Sequence, residues 1–432
     1  MSLADDAKLL LIPTGYKTSK VYSVFPTDGD GDFTYTRSGD ASRVNPGGLI
    51  ETVGTNIPRI DHFGGGCPTL NLEPQRTNLI LYSEQFSGTN WGSVNTTITA
   101  NQTISPDGTL TADKLQRNST SASYRSHNIS KSATATTYTT SAFIKKGSDD
   151  YFAMRAQGSY PSRVDIRFRF DTEQIYSATA FSNFTILDYG VQNYSNGWYR
   201  MHFTYTSDTH TNLSITFSPR ATNGNIDSSD TSSTSFAYVW GAQTEVGSYV
   251  SSYIKTEAST VTRLVDSCEV ASGLENVINQ TEGVFYIEFE YLYETTTDSS
   301  TDAFRDILVM GTASDISEGI SIDNYRSGFR VFIKGSGMTT QSVGTSSAGS
   351  SQPNTRYKLA VNYKSGDNKA YLNGSLLGSV QTGDVNFATD LDGIFFSYND
   401  ISRSFKNQKK VYDLRVYDTA LTDTELTELT TL

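Results

Sequence analysis

Apolar and polar residues alternate with a period of two along much of this chain. Val164, Ile166, Phe168 and Phe170 face one way, and Asp165, Arg167 and Arg169 face the other. That is the pattern of a half-buried β-strand. Met201, Phe203 and Tyr205 repeat it, as do Leu213, Ile215 and Phe217, then Phe236, Tyr238 and Trp240. Phe285, Ile287, Phe289 and Tyr291 line one face of a later strand. Residues 358–363, a turn at 365–368, and residues 369–374 and 411–417 continue the series. One helix is predicted. Thr422 followed three residues later by Glu425 is a capping box, and Leu421, Leu426 and Leu429 would pack that helix on a sheet.

These elements predict an all-β chain. Two jelly-roll-type antiparallel β-sandwiches, at 81–257 and 258–432, stand in tandem after a loop-rich N-terminal β segment at 1–80. Turn signals at Asn196-Gly197, Thr222-Asn223-Gly224 and 227–235 separate strands of the middle unit. The polar stretch 294–302 and the Gly/Ser-rich stretch 335–351 read as exposed loops. In the lead segment, residues 9–12, 21–25 and 33–37 read as short strands. Pro46, Pro58, Pro68 and Pro74 mark extended backbone between and after them. So little core fits there that these strands are expected to complete a sheet of another domain or subunit, as a docking or connector segment.

Composition agrees with strands. Of 432 residues, 36% are hydrophobic, a low share, while 12% are aromatic, led by 26 Tyr and 22 Phe. The 34 basic residues against 46 acidic ones leave a formal charge of −12, which repels phosphate backbones and speaks against nucleic acid as a partner. No apolar run is long enough to insert in a membrane, and none near Met1 resembles a secretory signal. The expectation is a protein made in a host cytoplasm and released by lysis, which needs no export signal. Cys67 and Cys268 lie far apart, form no metal-type pair and are expected as separate reduced thiols.

Three stretches carry a resemblance. The first runs from Gly31-Asp32-Phe33-Thr34-Tyr35-Thr36-Arg37 through Arg43, Pro46, Ile57-Pro58-Arg59 and Glu73-Pro74-Gln75-Arg76 to Leu79. The second joins Tyr82-Ser83-Glu84-Gln85-Phe86, Trp91, Ser105-Pro106-Asp107-Gly108, Asn196-Gly197-Trp198-Tyr199-Arg200, 239–247 and Ser252-Tyr253-Ile254 to Val261-Thr262-Arg263. The third is the strand series after 284 with its final helix. Together they resemble bacteriophage virion proteins of the tail-fibre, head-fibre or capsid-decoration type with a C-terminal laminin-G or concanavalin-like lectin domain. The resemblance implies a middle unit like a carbohydrate-binding module. As partners it implies other virion proteins, a homo-oligomer (a trimer being preferred) and cell-surface glycans. It supplies no catalytic residues.

Candidate chemistry is sparse. Asp28, Asp30 and Asp32 look like the start of a calcium loop, but position twelve is Gly39, so an EF-hand fails. Asp323, Asn324 and Asp392 are placed in loops where such lectin domains can hold calcium; structural calcium is the one cofactor considered. His62, His127, His202 and His210 show no metal spacing. No nucleophile elbow, phosphate loop or dinucleotide fingerprint occurs. Glu288 and Glu290 invite comparison with glycosidase carboxylates, yet period two puts both on a solvated face. Trp91, Trp198 and Trp240 are the sugar-stacking candidates. Core or turn packing is the better account of Trp198 and Trp240, and Trp91 is the one expected to be most exposed, although packing is favoured there too. The reading is a structural and adhesive protein, not an enzyme, with a polysaccharide-degrading virion enzyme as the alternative. No catalytic, cofactor or metal residue is assigned, and the ligand-binding residues are left open.

Overall fold

Alternation in the middle of the chain closes into a pair of facing sheets. The computed structural model describes residues 3–293, 304–312, 315–325, 328–335, 338–346, 352, 354–396 and 407–432. One antiparallel sheet runs in the order Trp91–Val94, Tyr124–Ser130, Asn212–Arg220, Tyr151–Gln157, Arg163–Arg169, Gln174–Phe181. The facing sheet runs Thr96–Thr103, Ala112–Arg117, Phe236–Val246, Thr137–Lys146, Trp198–Thr206, Thr185–Tyr194. The chain steps between sheets around Asn95 and Ser182, both at positive φ (48° and 53°). Ile166, Phe168, Met201, Phe203, Ile215 and Phe217 are wholly buried between the sheets, as their alternation requires.

A second sandwich uses both ends of the chain. One of its sheets is built on Glu282–Tyr293, flanked by Arg356–Lys364 and Asn407–Tyr417. Leu9–Leu11 and Thr69–Leu72 pair with Asn407–Tyr417, opposite residues 414–416 and 409–411 respectively. The other sheet starts with Tyr16–Lys17, Lys20–Val21 and Phe33–Thr36, then continues through Ser267–Val270 and Gly393–Phe395 to Gln341–Thr345. The first 80 residues therefore supply strands to both sheets of this sandwich. Those strands are two to four residues long, too short to fold on a core of their own. Leu9, Phe33 and Tyr35 reach zero exposure by packing in one core with Phe285, Ile287 and Val416.

The helix Asp423–Thr430 lies on the outer face of the sheet that contains Glu282–Tyr293. Thr422 Oγ1 accepts from the Glu425 N–H (3.3 Å), and the Glu425 carboxylate accepts from the Thr422 N–H (2.8 Å). Leu426 and Leu429 pack on Val284, Tyr286 and Tyr371, with Leu421 partly buried beside them. Among the described residues no helix is long and apolar enough to cross a membrane.

Two local expectations change, and a third falls outside the described residues. Within 335–351, residues Gln341–Thr345 form a strand paired with Gly328–Lys334, and Val343 is fully buried; Ser and Gly content concealed a short edge strand. The stretch 294–302 lies outside the described residues. Glu288 and Glu290 are not freely solvated. Cross-strand cations cover them: Arg356 is 2.7 Å from Glu288 and Lys410 is 3.6 Å from Glu290, which also accepts from the Tyr412 hydroxyl (3.0 Å).

The sandwiches meet at a buried ionic hub. Arg59 donates to Glu73 (2.5 Å) and to Asp266; Arg37 and the Tyr35 hydroxyl also donate to Asp266; Arg263 lies 2.8 Å from Glu73. Arg37, Arg59, Glu73, Arg263 and Asp266 are at most 2% exposed. Burial opposes the charge on Glu73, but Arg263 and Arg59 overcome it and hold its carboxyl well below the ordinary range. Ser251 and Ser252 link the hub to the middle unit: Ser252 donates to Glu73, and Ser251 donates to Glu245 on the strand Phe236–Val246. The carboxylates and arginines thus tie one sandwich to the other.

Candidate functional site

The residues singled out from sequence do not converge. Trp91 is 4% exposed, stacked on Phe86 at 4.3 Å and edge-on to His127 at 5.1 Å. It fills the core of the middle sandwich and is no exposed platform. Trp198 and Trp240 are each 1% exposed, in a satellite core with Phe143, Tyr253 and Ile50 on the outer face of their sheet. A bulge in the pairing between Ser141 and Phe143, beside Gly241 at φ +60°, lets Trp240 point away from Ala242, which enters the sandwich interior.

Most calcium candidates are used internally, while Asp392 lies in a loop with its Oδ1 unpartnered among the described residues. Asp32 accepts from the Ser23 N–H (2.9 Å), and Asp28 accepts from the Asp30 N–H (3.1 Å), so the Asp-Gly run is a closed turn. Asp323 and Asn324 lie within the strand Asp315–Tyr325 and not in a loop; Arg330 grips the Asp323 carboxylate with two bonds of 2.8 Å. Among the described residues no group of three His, Cys, Asp or Glu could hold a metal ion. Cys268 is buried in the C-terminal core, Cys67 is exposed, and both are free thiols.

An open cleft lies elsewhere, along the edge strand Thr185–Tyr194. Its volume is about 810 Å³. The middle sandwich contributes Glu173, Asp188, Tyr189, Gln192 and His202; across the gap stand Glu290, Asn354 and Lys410 of the C-terminal unit, with Phe63 of the lead segment between. A small inward extension reaches Asn71, Tyr194, Arg200 and Gln408.

Local structure sets each of these groups. Glu173 is at φ +55° in the turn after Arg163–Arg169, and its carboxylate accepts from the Tyr199 hydroxyl (2.8 Å) and the Asn193 amide (3.1 Å). A pairing irregularity between Ile186 and Asp188 keeps Asp188, Gly190 and Gln192 opposite Thr204, His202 and Arg200. Gly190 is directly across from His202. A Cβ there would come within 2.8 Å of the imidazole Cε1, so only glycine leaves the ring open to the cleft. Phe63 packs against Tyr194 at 4.9 Å, and the Lys410 ammonium lies 5.7 Å from the Phe63 ring.

Electrostatics distinguish this wall. Burial, aided by Arg200, pushes His202 down to about 4, so its ring is neutral at neutral pH. Partial burial pushes the Asp188 carboxyl up from the ordinary carboxylate value. Among the described residues His202 Nδ1, Gln192 Oε1 and Gln408 Oε1 are buried atoms without a hydrogen-bond partner, and Gln408 is only 6% exposed. Buried polar atoms are rarely left so, each costing on the order of 1–3 kcal/mol. Three such atoms lie beside the cleft and its inward extension, where a hydrogen-bonding ligand would satisfy them.

A second concavity, about 660 Å³, holds Glu51, Glu84, Asp107 and Lys255 over Tyr253. Its charges are largely spent: Lys255 is 2.8 Å from Glu84, and Arg43 is 2.7 Å from Glu51. Sequence reasoning missed the first cleft. The signal it carried was Gly190, isolated in a strand-like stretch, which marks close approach of another group.

No protein-family model matches the chain, and no curated protein does. Solved structures resemble part of it. The CBM40 of the Ruminococcus gnavus IT-sialidase, bound to alpha2,3 sialyllactose, is 15% identical at a TM-score of 0.29, over 37% of this chain and 87% of that one. The botulinum neurotoxin serotype D binding domain is 11% identical at 0.30, over 38% of this chain and 40% of that one. Botulinum neurotoxin type C, described as entering cells through interaction with two ganglioside molecules, is 14% identical at 0.29, over 38% and 39%. The chain spans about two-fifths of the toxin chains it matches. At these TM-scores the likenesses carry no weight for what the cleft binds.

Proposed function

We propose that the chain is a glycan-binding, adhesive component of a phage particle, with the cleft along Thr185–Tyr194 as its binding site. The observation that carries this is the pair of unpartnered Gln192 and His202 atoms beside an open cleft of about 810 Å³, with the unpartnered Gln408 atom in its small inward extension. Sugar hydroxyls both donate and accept, so they match a wall of amides, carboxylates and a neutral imidazole, and Tyr189, 49% exposed, offers an aromatic face beside them. A place on a virion, among other virion proteins and as a homo-oligomer, is supported by the resemblance of the strings around Arg43, Arg59 and Glu73.

Binding is favoured over cleavage. Glycosidase carboxylates sit roughly 5–9.5 Å apart. Asp188 is five positions from Asn193, to which Glu173 is bonded, or roughly 17 Å along an extended strand, and the third cleft carboxylate, Glu290, is engaged by Lys410 at 3.6 Å and the Tyr412 hydroxyl at 3.0 Å. The test is a panel of soluble oligosaccharides titrated into the full chain, with released reducing ends assayed in the same samples. Saturable binding without new reducing ends is expected. Reducing ends released in proportion to enzyme would establish the polysaccharide-degrading alternative.

A further inference from the structure

The cleft has a charge imbalance that bears on its ligand. Glu173 is held by Tyr199 and Asn193, both uncharged, and Asp188 by the backbone N–H of Tyr189. Neither carboxylate has an ion-pair partner among the described residues. Glu290 shares Lys410 at 3.6 Å. Among the described residues three carboxylates therefore face one ammonium, and that ammonium is already engaged. The arginine beside the cleft is also committed: Arg200 donates to the Ser251 carbonyl (2.8 Å) and the Ser141 hydroxyl (3.0 Å) and is 2% exposed. Among the described residues an anionic sugar entering here would find no free cation and two unneutralised carboxylates. Desolvating its charge beside like charges is unfavourable. An ammonium on the sugar meets the opposite situation.

The unpartnered atoms supply the second half of the match. Gln192 Oε1 and Gln408 Oε1 are acceptors without donors. Glu173 and Asp188 add further acceptors, and an ammonium offers three donors in one place. Among the described residues acceptors thus outnumber donors on the wall, with the Lys410 ammonium as its strong donor.

Resting on the reading of the cleft as a glycan site, we propose that its ligand is an amino sugar chain bearing free amines, and that carboxylated glycans are excluded. The elongated cleft, following the strand Thr185–Tyr194, suits an oligomer over a single sugar.

The test uses three probes on the full chain: glucosamine oligomers, their N-acetylated counterparts of equal length, and galacturonate oligomers. The first two share a sugar backbone; acetylation removes the amine charge and adds an acetyl group, so the salt dependence and the carboxylate variant below isolate the part due to charge. At low salt the glucosamine oligomer is expected to bind at least tenfold more tightly than its acetylated form, and that gap is expected to shrink at 0.5 M salt, where charges are screened. Galacturonate oligomers are expected not to bind. The double variant E173Q/D188N, its fold checked by circular dichroism and thermal melting, is expected to bring the two glucosamine forms within about threefold. Galacturonate binding as tight as glucosamine, or a variant that keeps the full gap, overturns the amine selectivity while leaving glycan binding intact. Binding of none of these probes nor of any neutral oligosaccharide overturns the glycan reading itself.

Discussion

Removing Arg59 should loosen the joint between the two sandwiches and cost the chain a large part of its stability. Its guanidinium is fully buried and donates to Glu73, Asp266 and the Ser252 hydroxyl (2.9 Å). In Arg59→Met the packing volume is roughly kept and the charge is lost. Breaking a buried pair by deleting one partner costs roughly 3–5 kcal/mol, because the other charge stays buried. Here both stranded carboxylates keep one cation: Arg263 remains 2.8 Å from Glu73, and Arg37 remains 3.3 Å from Asp266. Glu73 also keeps the Ser252 N–H (2.9 Å). The expected loss is therefore at the lower end, about 3 kcal/mol, a serious fraction of a total of roughly 5–15 kcal/mol. Urea unfolding followed by far-ultraviolet circular dichroism should show the midpoint fall by on the order of 1 M. Tryptophan fluorescence reports the middle unit, since Trp91, Trp198 and Trp240 all lie there. In the wild type the two probes should give one coincident transition, and in the variant they should separate. A loss below about 1 kcal/mol with transitions still coincident would show that the hub does not join the sandwiches.

Other expectations follow from single contacts. His127 is buried, and its Nε2 accepts from the Leu81 N–H (3.2 Å); burial pushes it down to about 4. The fold thus prefers neutral imidazole, so stability is complete above pH 6.5 and falls as pH drops from 6.5 toward 4. The loss is about 3 kcal/mol at one histidine, His202 acting in the same direction; His127→Gln, which keeps an acceptor, should flatten that slope in unfolding curves measured from pH 7 to 4. Thr422→Ala removes the cap of the helix Asp423–Thr430 and should cost about 1 kcal/mol, read as a lower thermal midpoint with far-ultraviolet strand signal unchanged. Gly190→Val drives a Cβ against the His202 ring, so the thermal midpoint should fall by the equivalent of about 1–3 kcal/mol, and in the still-folded variant oligosaccharide binding should weaken at least tenfold; unchanged affinity would place the ligand elsewhere. Because all three tryptophans are at most 4% exposed, saturating glycan should leave their emission maximum unmoved, whereas a red or blue shift on titration would point to a stacking tryptophan.

Strand positions were legible wherever one face is apolar throughout. Val164 to Phe168 and Met201 to Tyr205 alternate because one sheet face meets the other across a dry core, and each apolar member is fully buried. The cap at Thr422 was equally plain, since it depends on two residues three apart. Parity alone misled at Glu288 and Glu290, because it cannot see that Arg356 and Lys410 on neighbouring strands lie over them. The hub was invisible for a similar reason: Arg37, Arg59, Glu73 and Asp266 are ordinary charged residues in sequence, and only long-range pairing buries them. The cleft is harder still. Glu173, Gln192 and Lys410 come from three separate strands or turns, and Thr185–Tyr194 has an edge position that removes the need for clean alternation. Trp91 drew attention by sitting in a polar stretch; the aromatic partners that bury it, Phe86 and Phe217, lie five residues before it and far along the chain.

Hydrogen–deuterium exchange of the full chain, with and without a saturating oligosaccharide, tests the central claim most directly. The account predicts slower exchange at Thr185–Tyr194 and at 408–411 together, since the cleft has one wall in each sandwich. Protection confined to loops away from this strand, or no protection from any oligosaccharide, would contradict it.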